Sequence, residues 1–351
     1  MARDGQEGGL SGLLTTIGEI LVDFTPLAAP DGVMRFQAHP GGSPANVAVG
    51  LARLGAQVEF AGKISTDLFG RYLLRHLERE GVGTRFVSRS AAPSTLAFVA
   101  LDRDAPSFTF YGGDTADAEL RPQDIPRAID RSTVLHFGST SLVAECTSHT
   151  VLALADRLRG NCLLSLDPNV RPALIGDAAA YRRTLDRAFR TADIVKASTD
   201  DVPWLAAGIS IEDAAEQLLA LGAVLVIVTL GADGCYARMP VWELRVRAPR
   251  VDVADTVGAG DAFSSGLLAR LADAGLSSRS ALQRAGAVVI GDALGFATAT
   301  AALTCMRTGA DPPRRHEVDE FLRAHPPRTE LRRRGEAGWR SSEAKRQSES
   351  P

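Results

Sequence analysis

The chain has 351 residues, 45% hydrophobic and 23% charged, a composition that excludes a disordered, collagenous or membrane chain; at roughly 150 residues per domain it holds two domains or one large α/β unit. Its 39 basic and 42 acidic residues leave a net charge of −3, so no electrostatic excess draws it to nucleic acid or to an anionic membrane. The four cysteines, Cys146, Cys162, Cys235 and Cys305, include no Cys-x-x-Cys pair, which argues against a structural zinc site and fits the reducing cytoplasm.

Residues 1–12 hold four glycines and mixed charge and read as a flexible leader; Met1–Leu10 lacks the cationic and apolar regions of a signal peptide. Apolar stretches such as Val224–Leu230 stop far short of the ~20 residues of a membrane span, so no membrane partner is expected. Strands are expected at Thr15–Val22, Val58–Ala61, Val134–Phe137, Cys162–Leu166, Ile194–Lys196 and Val224–Thr229. Helical stretches fall between them, the alternation of a parallel sheet with helical crossovers. The first helix is well punctuated, with Ser43 able to cap it, Pro44 in its first turn, Val47, Leu51 and Leu54 on one face, and Gly55 to end it. A second runs from Asp67 to Glu80 and closes at Gly81.

Val33–Phe36, Thr95–Leu101 and Ser107–Tyr111 arrive without intervening helices. They predict a small separate antiparallel sheet, projecting as a lid from about 24–40 and 93–113. From Pro326 the chain is rich in Arg, Glu and Ser without apolar periodicity, so 326–351 reads as a solvated, disordered tail.

Chemistry concentrates in three places. Asp255-Thr256-Val257-Gly258-Ala259-Gly260-Asp261 precedes a helical pattern at Ser264–Ala274; small residues before a helix leave backbone N–H groups open to an anion, aided by the helix dipole. Asp261 then either caps that helix or acts as a general base beside the anion. Asp23 ends the first strand and is followed by Gly41-Gly42-Ser43-Pro44-Ala45-Asn46, a set of donors and acceptors suited to sugar hydroxyls. Asp167-Pro168-Asn169-Val170-Arg171 sits where open α/β sheets bind ligands, although its polar residues also suit a solvated loop.

Together these motifs resemble the ribokinase-like (PfkB) family of carbohydrate kinases, and within it the fructokinases, over Leu13 to His325. The N-terminal signature runs from Gly41 to Gly55, with Gly62-Lys63 and Asp67-Leu68-Phe69-Gly70 after it; the C-terminal one is Asp255–Phe263. The resemblance implies a three-layer α/β/α sandwich with a mostly parallel central sheet and a β-sheet lid. It implies an ATP-dependent sugar kinase, fructose to fructose 6-phosphate, with 2-keto-3-deoxygluconate kinase and a non-catalytic sugar-binding regulator as alternatives. On that reading Asp261 is the base and Gly258, Ala259 and Gly260 form the anion hole. Asp23, Gly41, Gly42, Asn46, Asp167 and Arg171 face the sugar; Lys196, Asp201, Thr229, Gly231, Gly234 and Thr256 face the nucleotide; Thr298–Gly309 lines the adenine pocket. Carbonyls at Asp255, Val257, Thr304, Arg307 and Gly309 match a monovalent cation site, so ATP, Mg²⁺ and K⁺ are the implied cofactors.

Two departures stand out. Ser198-Thr199-Asp200-Asp201 replaces the family's Asn-x-x-Glu, shortening the carboxylate, and Tyr111 leads into Gly112-Gly113-Asp114 where fructokinase-like chains often carry Arg. A lid sheet with an exposed face predicts a homodimer. The glycine pattern after the first strand is not Gly-x-Gly-x-x-Gly, which rejects a dinucleotide oxidoreductase. Of the six histidines none is spaced as a metal pair, and Trp204 and Trp242 read as packing residues.

Overall fold

The computed structural model describes residues 12–27, 33–101, 106–205, 208–334, 336 and 338–341. In chain order these form β1 (Leu13–Ile17), β2 (Leu21–Leu27), β3 (Arg35–Gly41), α1 (Ser43–Arg53), β4 (Val58–Ser65), α2 (Leu68–Arg79), β5 (Gly83–Ser90), β6 (Leu96–Leu101), β7 (Pro106–Tyr111) and β8 (Ser132–Gly138). They continue as α3 (Glu145–Leu158), β9 (Leu163–Asp167), α4 (Ala178–Thr191), β10 (Ile194–Ser198), α5 (Ile211–Ala220), β11 (Leu225–Thr229), β12 (Cys235–Met239), β13 (Trp242–Arg247), α6 (Ala259–Asp273), α7 (Arg279–Gln283), α8 (Ala287–Cys305), α9 (Arg315–Ala324), β14 (Arg328–Arg333) and β15 (Arg340–Ser341).

The main sheet has 11 strands in the order β15-β14-β13-β12-β11-β10-β9-β8-β1-β4-β5. From β11 to β5 every pair is parallel, and from β11 to β15 every pair is antiparallel. Because side chains alternate along a strand, Leu163, Ile194, Leu225 and Ile227 pack with α1, α6 and α8, whereas Leu164, Leu166, Val195 and Val226 pack with α3, α4 and α5. The result is the three-layer sandwich that the alternation of strands and helices predicts. Helix α8 is 19 residues long and apolar enough by composition to cross a membrane, which the sequence reading did not register; two thirds of it (67%) is buried inside the molecule. Trp242 is buried, and Trp204 packs edge-on against Tyr181, both as expected of packing residues.

Three expectations are corrected. The first strand does not run through to Val22: the chain leaves the main sheet at Gly18, and β2 belongs to the second sheet. That sheet has 4 strands, β3-β2-β6-β7, rather than three, and β2 runs parallel to β6, so it is mixed and not antiparallel. Its apolar face stacks Phe24 on Phe98 at 4.7 Å and sets Phe24 edge-on to Phe69 of α2 at 5.7 Å. Alternation then turns Asp23 to the opposite face.

The third correction is the tail. Residues 328–333 form a strand paired with β13, Thr329 opposite Val246 and Leu331 opposite Leu244. Every second residue gains apolar cover, while the charged residues between them pair across strands: Arg332 with Glu243 at 2.6 Å and Arg247 with Glu330 at 3.2 Å. The Arg245 and Arg332 guanidinium groups both lie over the Trp339 ring, at 4.6 and 4.8 Å. Cross-strand pairing of this kind offsets the ordering entropy that composition alone predicts to win. The leader to residue 11 and the segment from 342 lie outside the described residues.

Candidate active site

The parallel strands β9, β10 and β11 end on the edge where α6 begins. Gly258, at the N-cap of α6, has φ +75; a Cβ there would lie 2.6 Å from the Cβ of Ala310. Only glycine makes this turn without strain. Asp261 follows in the first turn of α6, which carries no side-chain cap. Its carboxylate is instead buried and takes two donors from α1, Ser43 Oγ on Oδ1 at 2.6 Å and Asn46 Nδ2 on Oδ2 at 2.8 Å. Asp261 is therefore not a cap, and neither is Ser43: Gly42 occupies the N-cap of α1 and makes no side-chain bond.

Glu19 explains why α1 enters at this point, and sequence reasoning missed it. Buried behind the site, it accepts the Ser43 backbone N–H on Oε1 at 3.3 Å and the Ser141 N–H on Oε2 at 3.0 Å. A carboxylate between Gly18 and the apolar Ile20-Leu21 was the available signal. Burial pushes it from 4.5 up to about 7, against hydrogen bonds that lower it and with the charge of Asp117 adding to the rise. Gly42 fits directly over this segment, since a Cβ on it would meet the Glu19 carbonyl at 2.7 Å.

Three acidic side chains converge with two cations. Burial raises Asp261 above the ordinary range, opposed by the bonds from Ser43 and Asn46 and by Lys196 and Arg171. Burial and then the charge of Asp261 push Asp23 to about 6, with Arg171 opposing. Burial raises Asp167 to about 6 despite its 2.7 Å ion pair with Lys196. Lys196 is buried yet held charged by Asp167, Asp201 and Asp261, which together overcome its desolvation. Its Nζ stands 3.0 Å from where a Cβ of Gly260 would be, placing the ammonium against the first turn of α6. Asp167 Oδ1 is buried without a hydrogen-bond partner.

The remaining sequence candidates divide. Gly41 is held against Asp23, whose Oδ2 would lie 2.1 Å from an added Cβ; His39 stands opposite Asp23 on β3. Arg171 Nη1 donates to the carbonyls of Asn169 and Val170, both at 3.2 Å. Asp201, expected near the nucleotide, has both oxygens engaged: Oδ1 accepts from Val170 N at 2.8 Å, and Oδ2 from Ser198 N and Oγ, each at 2.7 Å. It ties the β9 and β10 loops together. Thr229 ends β11, and Gly231 and Gly234 build the turn into β12. Thr256 accepts the Ala259 N–H at 3.2 Å.

Asp255 joins two loops, taking Val257 N at 3.0 Å and Gly309 N at 2.8 Å. That brings Asp255, Val257 and Gly309 together, while the Thr304 carbonyl accepts Arg307 N at 3.0 Å and the Arg307 side chain turns to Glu317 and Asp311. Among the described residues no group of three His, Cys, Asp or Glu side chains could hold a metal. A cleft of about 1410 Å³ opens beside the β11–β12 turn, lined by Asp233, Arg250, Val288, Thr298, Pro327 and Thr329 among others. Of the segment expected at the adenine, Thr298 and Ala299 line this cleft.

Comparison with known proteins gives these groups a context. Residues 12–316 match the pfkB family of carbohydrate kinases. Fructokinase-1 of Oryza sativa subsp. japonica is 37% identical over 89% of this chain and 97% of its own. A crystal structure of fructokinase with bound ATP from Xylella fastidiosa aligns with TM-score 0.83 and 30% identity, covering 89% of this chain and 98% of that one. A double mutant of the Vibrio cholerae O395 fructokinase, in a form with fructose, ADP and potassium bound, aligns with TM-score 0.78 and 31% identity over 89% and 98% of the two chains. The chain belongs to the pfkB family of carbohydrate kinases and is a fructokinase-like sugar kinase with the ribokinase-like fold.

Proposed function

We propose that this kinase transfers the γ-phosphoryl group of ATP to the 6-hydroxyl of fructose. The observation that carries the reading is Asp261: a buried carboxylate, raised above its ordinary range, oriented by Ser43 and Asn46, in the first turn of a helix whose opening residues are Gly258, Ala259 and Gly260. Fixed acceptor geometry and a raised pKa are what a general base for an alcohol needs. The sugar oxygen bonds to the γ-phosphorus as the bridging bond to ADP breaks, and the hydroxyl proton passes to Asp261. Charge on the transferring group meets the N–H groups at the start of α6 and the Lys196 ammonium, donors that need no reorganisation.

Asp23 and Asn46 bind sugar hydroxyls, and Arg171 biases the pocket toward oxygen-rich ligands. Magnesium supplies charge neutralisation on the phosphates when bound. Asp167, whose Oδ1 lacks a partner, is the carboxylate suited to its water shell, whereas Asp201 is committed to Val170 and Ser198. The carbonyls around Asp255, Val257 and Gly309 would take potassium, in keeping with the potassium form of the Vibrio relative. The lid leaves Met34 81% and Tyr111 61% exposed, apolar surface that a second copy would cover in a cytoplasmic homodimer; only monomer by light scattering at micromolar concentration would reject that.

The deciding experiment follows ADP release with MgATP on fructose, ribose, glucose and 2-keto-3-deoxygluconate, with and without potassium. Turnover on fructose in clear preference to the others is expected. Turnover confined to the keto acid would replace fructose by a carboxylate substrate paired with Arg171. No turnover on any sugar, with sugar binding retained in calorimetry, would point to a non-catalytic regulator.

A further inference from the structure

The family match ends at residue 316, yet the chain goes on to add β14 and β15 to the main sheet and a wall to the 1410 Å³ cleft. After α9 it runs along α8 before entering β14. Pro327 packs so close to α8 that a Cβ on Gly295 would lie 2.8 Å from the proline ring, and a Cβ on Gly291 would lie 3.4 Å from the Thr329 methyl. Two small residues one helical turn apart form the notch that admits this segment. Pro326, Pro327, Arg328, Thr329 and Leu331 then all line the 1410 Å³ cleft.

Ala232-Asp233 of the β11–β12 turn and the segment from Arg247 to Arg250 also line the cleft. The first of these sits at the end of a parallel strand adjacent to the one carrying Lys196, and the second leads directly along the chain into Asp255–Gly260. Chain continuity on both sides therefore joins the cleft to the phosphoryl-transfer site. Its lining is mixed, with apolar Ala287, Val288, Ala299 and Leu331 beside Asp233 and Thr298. Flat heteroaromatic rings with a polar rim suit such a surface, and the volume exceeds the roughly 300–1,000 Å³ of ordinary ligand sites, which leaves room for a base, a ribose and solvent.

We infer that the C-terminal segment Pro326–Leu331, outside the family match, is the outer wall of the nucleotide site, so that this chain's own extension sets its nucleotide affinity. The inference rests on the kinase reading above. Strand alternation supports it: Thr329 and Leu331 face α8 and the cleft, opposite the buried Val246 and Leu244, while Glu330 and Arg332 turn away to their ion pairs. Within β14 the wall thus presents Thr329 and Leu331 to the ligand and turns Glu330 and Arg332 to the far side of the sheet, while Arg328 at the start of the strand also lines the cleft.

The test uses the full-length chain with Thr329→Glu, which sets an anion in the wall, and Thr329→Trp, which fills it. ADP and fructose binding are measured by calorimetry, with KM for ATP, KM for fructose and kcat in parallel. At least a tenfold weaker ADP affinity and a matching rise in KM for ATP are expected, with fructose binding within twofold of the parent; retained fructose binding also shows that the variants fold. Parent-like ADP affinity in both variants would overturn the inference, as would an equal loss of fructose and ADP affinity, the mark of a merely structural strand. If the unmodified chain binds fructose but no ADP, the kinase reading itself fails, and the inference falls with it.

Discussion

Replacing Asp261 by Asn removes the proton acceptor while changing almost nothing in shape. The carboxylate holds two donors, Ser43 Oγ at 2.6 Å and Asn46 Nδ2 at 2.8 Å. In Asp261→Asn the new carbonyl oxygen keeps the Ser43 bond, and an amide flip lets Asn46 present its oxygen to the new NH₂ group. Loss of a general base costs about 10²–10⁴ in turnover, or roughly 3–5 kcal/mol of barrier at 1.36 kcal/mol per tenfold. Stability should move the other way or not at all, because burial already works against the charged form. The same substitution removes the like charge that helps hold Asp23 at about 6, so sugar binding should keep its ionised Asp23 to lower pH. The assay is kcat with saturating fructose and MgATP, sugar affinity by calorimetry from pH 5 to 8, and the thermal midpoint. A variant with more than a tenth of parental turnover, or one that loses sugar affinity and activity equally, would refute the assignment.

Gly258→Ala forces a side chain into a φ of +75 and within 2.6 Å of the Ala310 Cβ. About 1–2 kcal/mol of left-handed strain plus that clash should lower the thermal midpoint and shift the N–H groups of α6, with kcat falling while KM for fructose stays close to parental; an unchanged kcat would separate this turn from the chemistry. Glu19 has its folded pKa raised from 4.5 to about 7, so protonation favours the folded state: its contribution to stability is fully present below about 4.5 and is lost as pH rises toward 7. Glu19→Gln should therefore flatten the fall in unfolding free energy across that window in chemical denaturation; identical slopes in parent and variant would contradict the buried titration.

The layers of the fold were legible because period-two and helical patterns report burial directly, and Gly41, Gly42, Gly234 and Gly258 were legible because close approach leaves no room for a Cβ. Ser43 was misread for a physical reason: capping rules are local, whereas the acceptor that took its hydroxyl lies 218 residues away. Glu19 was passed over, despite the apolar Ile20-Leu21 beside it, because a carboxylate next to a strand usually marks its solvated end. Gly18 broke a strand that apolar content alone carried through to Val22. The tail was misjudged from composition, since arginines and glutamates that look solvated in sequence become cross-strand partners once β13 is beside them. Asp201 shows what a motif match leaves out: its position matches the family's, and the structure adds that its oxygens accept hydrogen bonds from Val170 and Ser198.

The sequence separation of 218 between Ser43 and Asp261 also orders events in time. At about 5–20 residues per second of synthesis, roughly 11–44 seconds separate their emergence from the ribosome. Through that interval α1 can already offer its hydroxyl and amide, but with no acid to receive them. The carboxylate finds its donors only when α6 docks against α1, late in assembly and after most of the central strands exist. A nascent or truncated chain holding the sugar-side residues would thus be inert toward ATP, and catalytic competence would arrive in one step near the end of folding.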